Sequence, residues 1–221
     1  MKLHQVIAAA GLALASTASL ATPSVVFLID GDTFSQSFSI TNQSSANESI
    51  TGLTVGLRSG FVFNTQDVST SNQGRAFSFT QNGNISLAAG SSLPVDQGTS
   101  MSLAFSNFDG LPSSISSCGF LCEFDWNVDV DSASAASTGA DLRVFGSDLI
   151  GSTISVTFSN GTTLSGLFGP DARTIPSAQA AYWSATGNGS TAPPSVPEPG
   201  SLVLAGLALL GLGVARHAKR D

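Results

Sequence analysis

Between residues 25 and 168 apolar and polar side chains alternate in short runs closed by Gly, Asn, Asp and Ser, and no segment there sustains a helical period. A side-chain period of two sends successive residues to opposite faces of a strand, so the pattern restricts the chain to antiparallel sheets with one wet and one dry face. Met101, Leu103 and Phe105 alternate with Ser100, Ser102, Ala104 and Ser106. Trp126, Val128 and Val130 alternate with Asp125, Asn127, Asp129 and Asp131. Further strands are predicted over residues 25–29, 33–41, 50–57, 61–63, 76–80 and 85–88, with a turn at Asp30-Gly31 between the first two. About eight or nine short strands at this spacing predict an all-β fold, an antiparallel β-sandwich of jelly-roll or immunoglobulin-like type. Residues 178–183 read as a last strand or a single helical turn.

The hairpin over residues 153–168 has a register that follows from making its apolar faces coincide. A two-residue Asn160-Gly161 loop would set Leu164 across from Thr157, placing a leucine on the polar face. A three-residue loop of Ser159, Asn160 and Gly161 pairs Val156 with Leu164 and Phe158 with Thr162, with Gly161 in the left-handed position of a bulge. The second register is the predicted one.

Charged residues make up only 10% of the chain, against roughly 25% in an ordinary soluble domain. Between residues 22 and 196 there are thirteen Asp and Glu, no lysine, and only Arg58, Arg75, Arg143 and Arg173. Such a balance repels phosphate backbones and argues against nucleic-acid binding.

Two greasy termini enclose this body. Residues 1–21 carry Lys2 and His4, an apolar run over residues 6–15, and the small-residue ending Ser19, Leu20, Ala21. This reads as a signal peptide cleaved after Ala21, its apolar run being too short for a comfortable membrane span. Residues 22–185 then form the β-sandwich ectodomain, and residues 186–195 a flexible stalk. In the tail, residues 196–221, prolines at 193, 194, 197 and 199 bar a regular helix until about Gly200. The apolar residues 201–215 are predicted to form one hydrophobic helix rising roughly 22 Å, a marginal fit to a hydrocarbon core of roughly 30 Å. Arg216, Lys219 and Arg220 act as a basic stop that holds the C-terminus in the cytoplasm and leaves the body outside.

The order Val196, Pro197, Glu198, Pro199, Gly200, then an apolar helix with several glycines, then a short Arg/Lys cluster, resembles the PEP-CTERM sorting signal. The resemblance covers the tail alone. It implies recognition by the membrane protease exosortase in an exopolysaccharide-producing Gram-negative bacterium, with transient anchoring in the inner membrane and delivery to the envelope or extracellular matrix.

Within the body, the residues narrow the chemistry. Cys118 and Cys122 are the only cysteines, and in an exported chain their spacing suits a local disulfide. Asp125, Asn127 and Asp129 match the first three ligand positions of a calcium loop. The match then fails, because Val130 stands where a glycine is needed and Ala136 where a bidentate glutamate is needed. Asp125, Asp129 and Asp131 are therefore weak metal candidates and are expected to form a solvated strand face. His4 and His217 are the only histidines and both lie in the termini, so neither a Ser-His-Asp nor a Cys-His nucleophile can be assembled in the body. Absent lysine excludes Schiff-base chemistry and a phosphate-cradling lysine.

Paired carboxylates leave glycoside hydrolysis formally open, with Glu123 the only acid set among apolar neighbours. Trp126 is expected in the core, while Tyr182 and Trp183 are candidates for stacking on sugar rings. No catalytic residue, cofactor or resident metal is expected. The body is expected to be a non-enzymatic structural or adhesive component, and a module that binds carbohydrate, exopolysaccharide included, is the alternative.

Overall fold

Alternation does produce antiparallel sheets, and where it breaks the chain changes sheet. A computed structural model describes residues 22–35, 38–45, 48–66, 73–80, 84–110, 122–138 and 143–187. All belong to the first of the two units into which the chain divides, Met1–Ser190 and Thr191–Asp221. The strands are β1 (Ser24–Asp30), β2 (Phe38–Asn42), β3 (Ile50–Gly56), β4 (Phe61–Asn64), β5 (Ser78–Thr80), β6 (Ser86–Leu87) and β7 (Ser100–Ser106). They continue as β8 (Glu123–Asn127), β9 (Asp129–Ser132), β10 (Thr153–Phe158), β11 (Thr163–Leu167), β12 (Gly169–Pro170) and β13 (Ala180–Thr186). A short helix α1 (Ala133–Thr138) follows β9, its start capped by Ser132 Oγ, which accepts from the Ala135 N–H at 3.1 Å.

Six strands in the order β12-β13-β1-β2-β8-β5 form one sheet, and five in the order β11-β10-β3-β7-β6 form a second. β4 and β9 make a separate pair. Every pairing is antiparallel. Val25, Phe27, Phe38, Ile40, Phe124 and Trp126 from the first sheet share one buried cluster with Leu53, Val55, Met101, Leu103, Ile154 and Val156 from the second. Each fully buried Val, Leu or Phe contributes roughly 1.5–3 kcal/mol, so this shared core is the main stabilising feature. The all-β expectation therefore holds.

The hairpin takes the predicted register. Val156 faces Leu164 and Thr157 faces Thr163. The Phe158 N–H donates to Thr162 O at 2.9 Å, and Gly161 sits at φ +84°. Asn160 Oδ1 accepts from the Thr162 N–H at 2.8 Å, tightening the turn. In β3 the buried Ile50 and Leu53 are three residues apart, a spacing that would put them on opposite faces of a regular strand. A register shift against β10 at Thr157/Phe158 absorbs the extra residue and keeps both in the core.

Other expectations are corrected. The strand predicted over residues 33–41 begins only at Phe38, because residues 31–35 form a loop whose Thr33 turns inward. Gly31, at φ +82°, does begin a turn, but a wide one. Of residues 178–183, the last four lie in strand β13, which begins at Ala180, and residues 178–179 form the turn before it. The chain passes from the second sheet to the first between β11 and β12, where Phe168 stacks on Phe27 with centroids 4.9 Å apart. Among the described residues no helix is long and apolar enough to cross a membrane; the predicted signal peptide and the predicted helix over residues 201–215 lie outside them.

Candidate functional site

The acidic segment after Cys122 is where sequence and structure part most sharply. Alternation holds through β8, where Phe124 and Trp126 are buried and Glu123, Asp125 and Asn127 are half-buried. Val128 then carries the chain out of the six-stranded sheet into the β4–β9 pair. Here both faces are covered, leaving Asp129 and Asp131 only 5% and 4% exposed. The expected solvated face is thus wrong for these two residues, because loop residue Thr33 and β4 residue Asn64 close over them.

Polar partners make the burial tolerable. The Thr33 hydroxyl lies 3.3 Å from Asp129 Oδ1 and 3.2 Å from Val130 O, and accepts from the Val130 N–H at 3.3 Å. Asn64 Nδ2 donates to Asp131 Oδ2 at 2.9 Å. Asp32, beside Thr33, faces Arg143 at 3.8 Å. Burial first, and the Asp131 charge second, push the Asp129 carboxyl up to about 7, while the Val130 N–H and Thr33 hydroxyl pull the other way. A carboxyl that titrates near neutrality can hold or release a proton there, yet it lies inside the fold rather than in an open cleft.

Asp125 does not join these acids. It stands in β8 across from Ser39 and Thr80, in a different sheet. Among the described residues no group of three or more His, Cys, Asp or Glu is placed to hold a metal ion. Glu123 is raised above the ordinary carboxylate range by partial burial and, secondarily, by Asp125.

Neither tryptophan forms a sugar platform. Trp126 is fully buried, stacked on Phe38 at 5.6 Å and edge-on to Phe27 at 5.4 Å, as expected of a core residue. Trp183, proposed for exposure, is only 7% exposed and lies over Gly166, where a Cβ would come within 2.3 Å of its Nε1. It shares the inward face of strand β13 with the buried Ala181.

Two polar sites escaped the sequence reading. Glu48 Oε1 accepts from the Asn160 N–H at 2.7 Å and from the Ser159 hydroxyl, clamping the β10–β11 turn. Asp171 accepts from Arg173 Nε at 2.9 Å and from the Ser177 N–H at 2.7 Å, while Arg173 Nη2 reaches Asp30 at 3.0 Å. The Asx-type spacing of Asp171 and Arg173 was the one local signal for the second; the first joins residues 112 apart and left none. Asn42 begins an Asn-x-Ser triplet, but its side chain is buried and donates to Glu48 O and Phe108 O at 2.8 and 2.9 Å, a purely structural use.

Cys122 is buried immediately before β8, and the described residues contain no free cysteine. Cys118 lies outside them, as do Val196, Pro197, Glu198, Pro199, Gly200, Arg216, Lys219 and Arg220. Residues 195–220 match the PEP-CTERM protein-sorting motif. That motif marks a protein that is exported and sorted by exosortase to the cell envelope. Neither the curated proteins nor the solved structures contain a match to the chain.

Proposed function

We infer that the chain is a structural or adhesive component of the cell envelope or extracellular matrix, and that its body is not an enzyme. The sorting motif at residues 195–220 carries this reading, since it gives the body an address outside the cytoplasm. On this reading residues 1–21 are removed on export. The apolar residues 201–215 hold the chain transiently in the inner membrane, with Arg216, Lys219 and Arg220 on the cytoplasmic side. Cys118 and Cys122 pair in the oxidising compartment, closing a short loop that adds modest stability.

The body is read as a β-sandwich, which the shared core of the two sheets supports. Its lack of histidine and lysine between residues 22 and 196 supports a non-enzymatic role. Of the two rings on which the carbohydrate-binding reading depended, Trp183 is buried and Tyr182 half-buried, which favours the structural reading.

Intact mass of the protein recovered from the envelope or medium tests the reading. The expected species lacks residues 1–21, is shortened at the tail, and is lighter by two hydrogens than its reduced form. Deleting residues 195–221 should abolish envelope sorting. A cytosolic protein with both termini retained and free thiols would overturn it.

A further inference from the structure

The β4–β9 pair is a two-stranded sheet, so β9 has an outer edge that β4 does not cover. Across from Val130, Phe63 gives its N–H to Gly98 O and receives the Gln97 N–H on its own carbonyl, each at 2.8 Å. The Val130 N–H and C=O turn the other way, where a single side chain meets them. The Thr33 hydroxyl, on the loop over residues 31–35, accepts from the Val130 N–H and lies within reach of both Val130 O and Asp129 Oδ1.

A hydroxyl has one hydrogen and two lone pairs, and this count decides how the site behaves. One lone pair takes the Val130 N–H, which leaves a single hydrogen for two acceptors. With Asp129 protonated nothing is missing: its O–H donates to the second lone pair, and the Thr33 hydrogen goes to Val130 O. With Asp129 ionised the Thr33 hydrogen is drawn to the carboxylate. Val130 O then loses it at a place where Thr33, Val130 and Asp129 are all buried. A carbonyl and a carboxylate that share one hydrogen out of contact with solvent are both relieved by water.

Charge favours the same outcome. The charged groups that act on Asp129 are Asp131 on its own strand and Asp32 on the loop, both acids. Arg143 is turned to Asp32, at 3.8 Å. Arg75 meets Asp129 through its backbone carbonyl, 3.2 Å from the Asp129 N–H, while its guanidinium donates to Phe34 O at 2.6 Å. From β4 comes Asn64, which is uncharged and donates to Asp131. Burial and the Asp131 charge push the Asp129 carboxyl up to about 7, so the hydrogen count changes near neutral pH.

We propose that Thr33, Asp129 and the Val130 peptide form a proton-operated latch, in which the Thr33 side chain seals the edge of β9 while Asp129 holds its proton and lets go, admitting water, when the proton leaves. The loop's backbone stays tied on its other flank, where the Thr33 N–H donates to Val144 O and the Gly146 N–H to Gly31 O, both at 2.9 Å. Opening is therefore local: it uncovers the β9 edge and leaves the two larger sheets intact. Unlike the reading of the chain as an envelope component, the latch needs only the body's own fold.

Amide hydrogen exchange of the Val130 N–H in the purified full chain, read by NMR and corrected for the intrinsic pH dependence of exchange, tests the proposal. The Val156 N–H, in a strand paired on both sides, is the reference. In the wild type, protection at Val130 should fall on the order of tenfold from about pH 5 to about pH 8, and by more than at Val156. Asp129→Asn keeps an N–H donor in place of the acid proton, so Val130 should stay protected at every pH. Thr33→Val keeps the shape and loses the hydroxyl, so protection should be low and flat, while Thr33→Ser should restore both the protection and its pH dependence. A fall at Val130 no larger than at Val156, a fall that persists in Asp129→Asn, or a Thr33→Val protein with the wild-type profile would each overturn the proposal.

Discussion

Replacing Asp129 with Asn should erase a pH dependence that this buried carboxyl imposes on the fold. Burial and the neighbouring Asp131 charge push its pKa up to about 7, whereas an unfolded chain releases an Asp proton near pH ~3.9. Between those values the folded state keeps a proton that the unfolded state has lost, so stability falls as pH rises through this window and levels off above it. A gap of about three units at roughly 1.4 kcal/mol each sets a ceiling of about 4 kcal/mol. Solvent screening and relaxation around the carboxyl reduce this, and about 2 kcal/mol is the working expectation.

Asn has the shape of the protonated acid but brings an extra N–H donor, which shifts stability by a pH-independent amount of about 1 kcal/mol. The diagnostic quantity is therefore the slope. Urea denaturation of both proteins should show the Asn variant gaining on the wild type by about 2 kcal/mol between roughly pH 4 and pH 8. A difference that stays flat with pH, or that moves in favour of the wild type as pH rises, would refute the assignment of a raised pKa to Asp129.

Gly146→Ala should destabilise by about 2 kcal/mol or more, because its Cβ would stand 2.1 Å from Ile29 O and 3.0 Å from Ala181 N, both backbone atoms of paired strands; a thermal melt within a degree or so of wild type would disprove the packing there. Asp171→Ala should cost about 2–3 kcal/mol by stripping Arg173 and the Ser177 N–H of their shared acceptor. Hydrogen bonds from Arg173 hold the Asp171 carboxyl well below the ordinary range, so its contribution is complete above about pH 4 and is lost as the acid protonates. Wild type and variant should thus converge in strong acid, and faster tryptic cleavage after Arg173 at neutral pH should report the loosened loop.

Legibility in the sequence followed the distance over which each constraint acts. The β10–β11 register was readable because its two apolar faces and its Asn160-Gly161 turn all lie within a few residues of one another, and Val156 does face Leu164. The β8 face was readable for the same reason. Beyond Asn127 the same alternation misled, because what covers Asp129 is Thr33, 96 residues earlier, and what covers Asp131 is Asn64, 67 residues earlier. A period of two says which side chains share a face, and nothing about whether a second layer arrives on it. Trp183 was left open between exposure and core for the same reason, since it packs over Gly166 on a different sheet.

This burial also changes what the acidic composition means. Glu48, Asp129 and Asp131 are buried, and the Asp171 side chain is almost wholly enclosed, so these acids serve as internal fasteners rather than as a repulsive surface. Glu48 holds a hairpin turn, Asp171 a surface loop, and Asp129 with Thr33 the loop that enters β2. The case against nucleic-acid binding then rests less on surplus acid than on scarce cations. Arg173 is engaged by Asp171 and Asp30, and Arg143 faces Asp32.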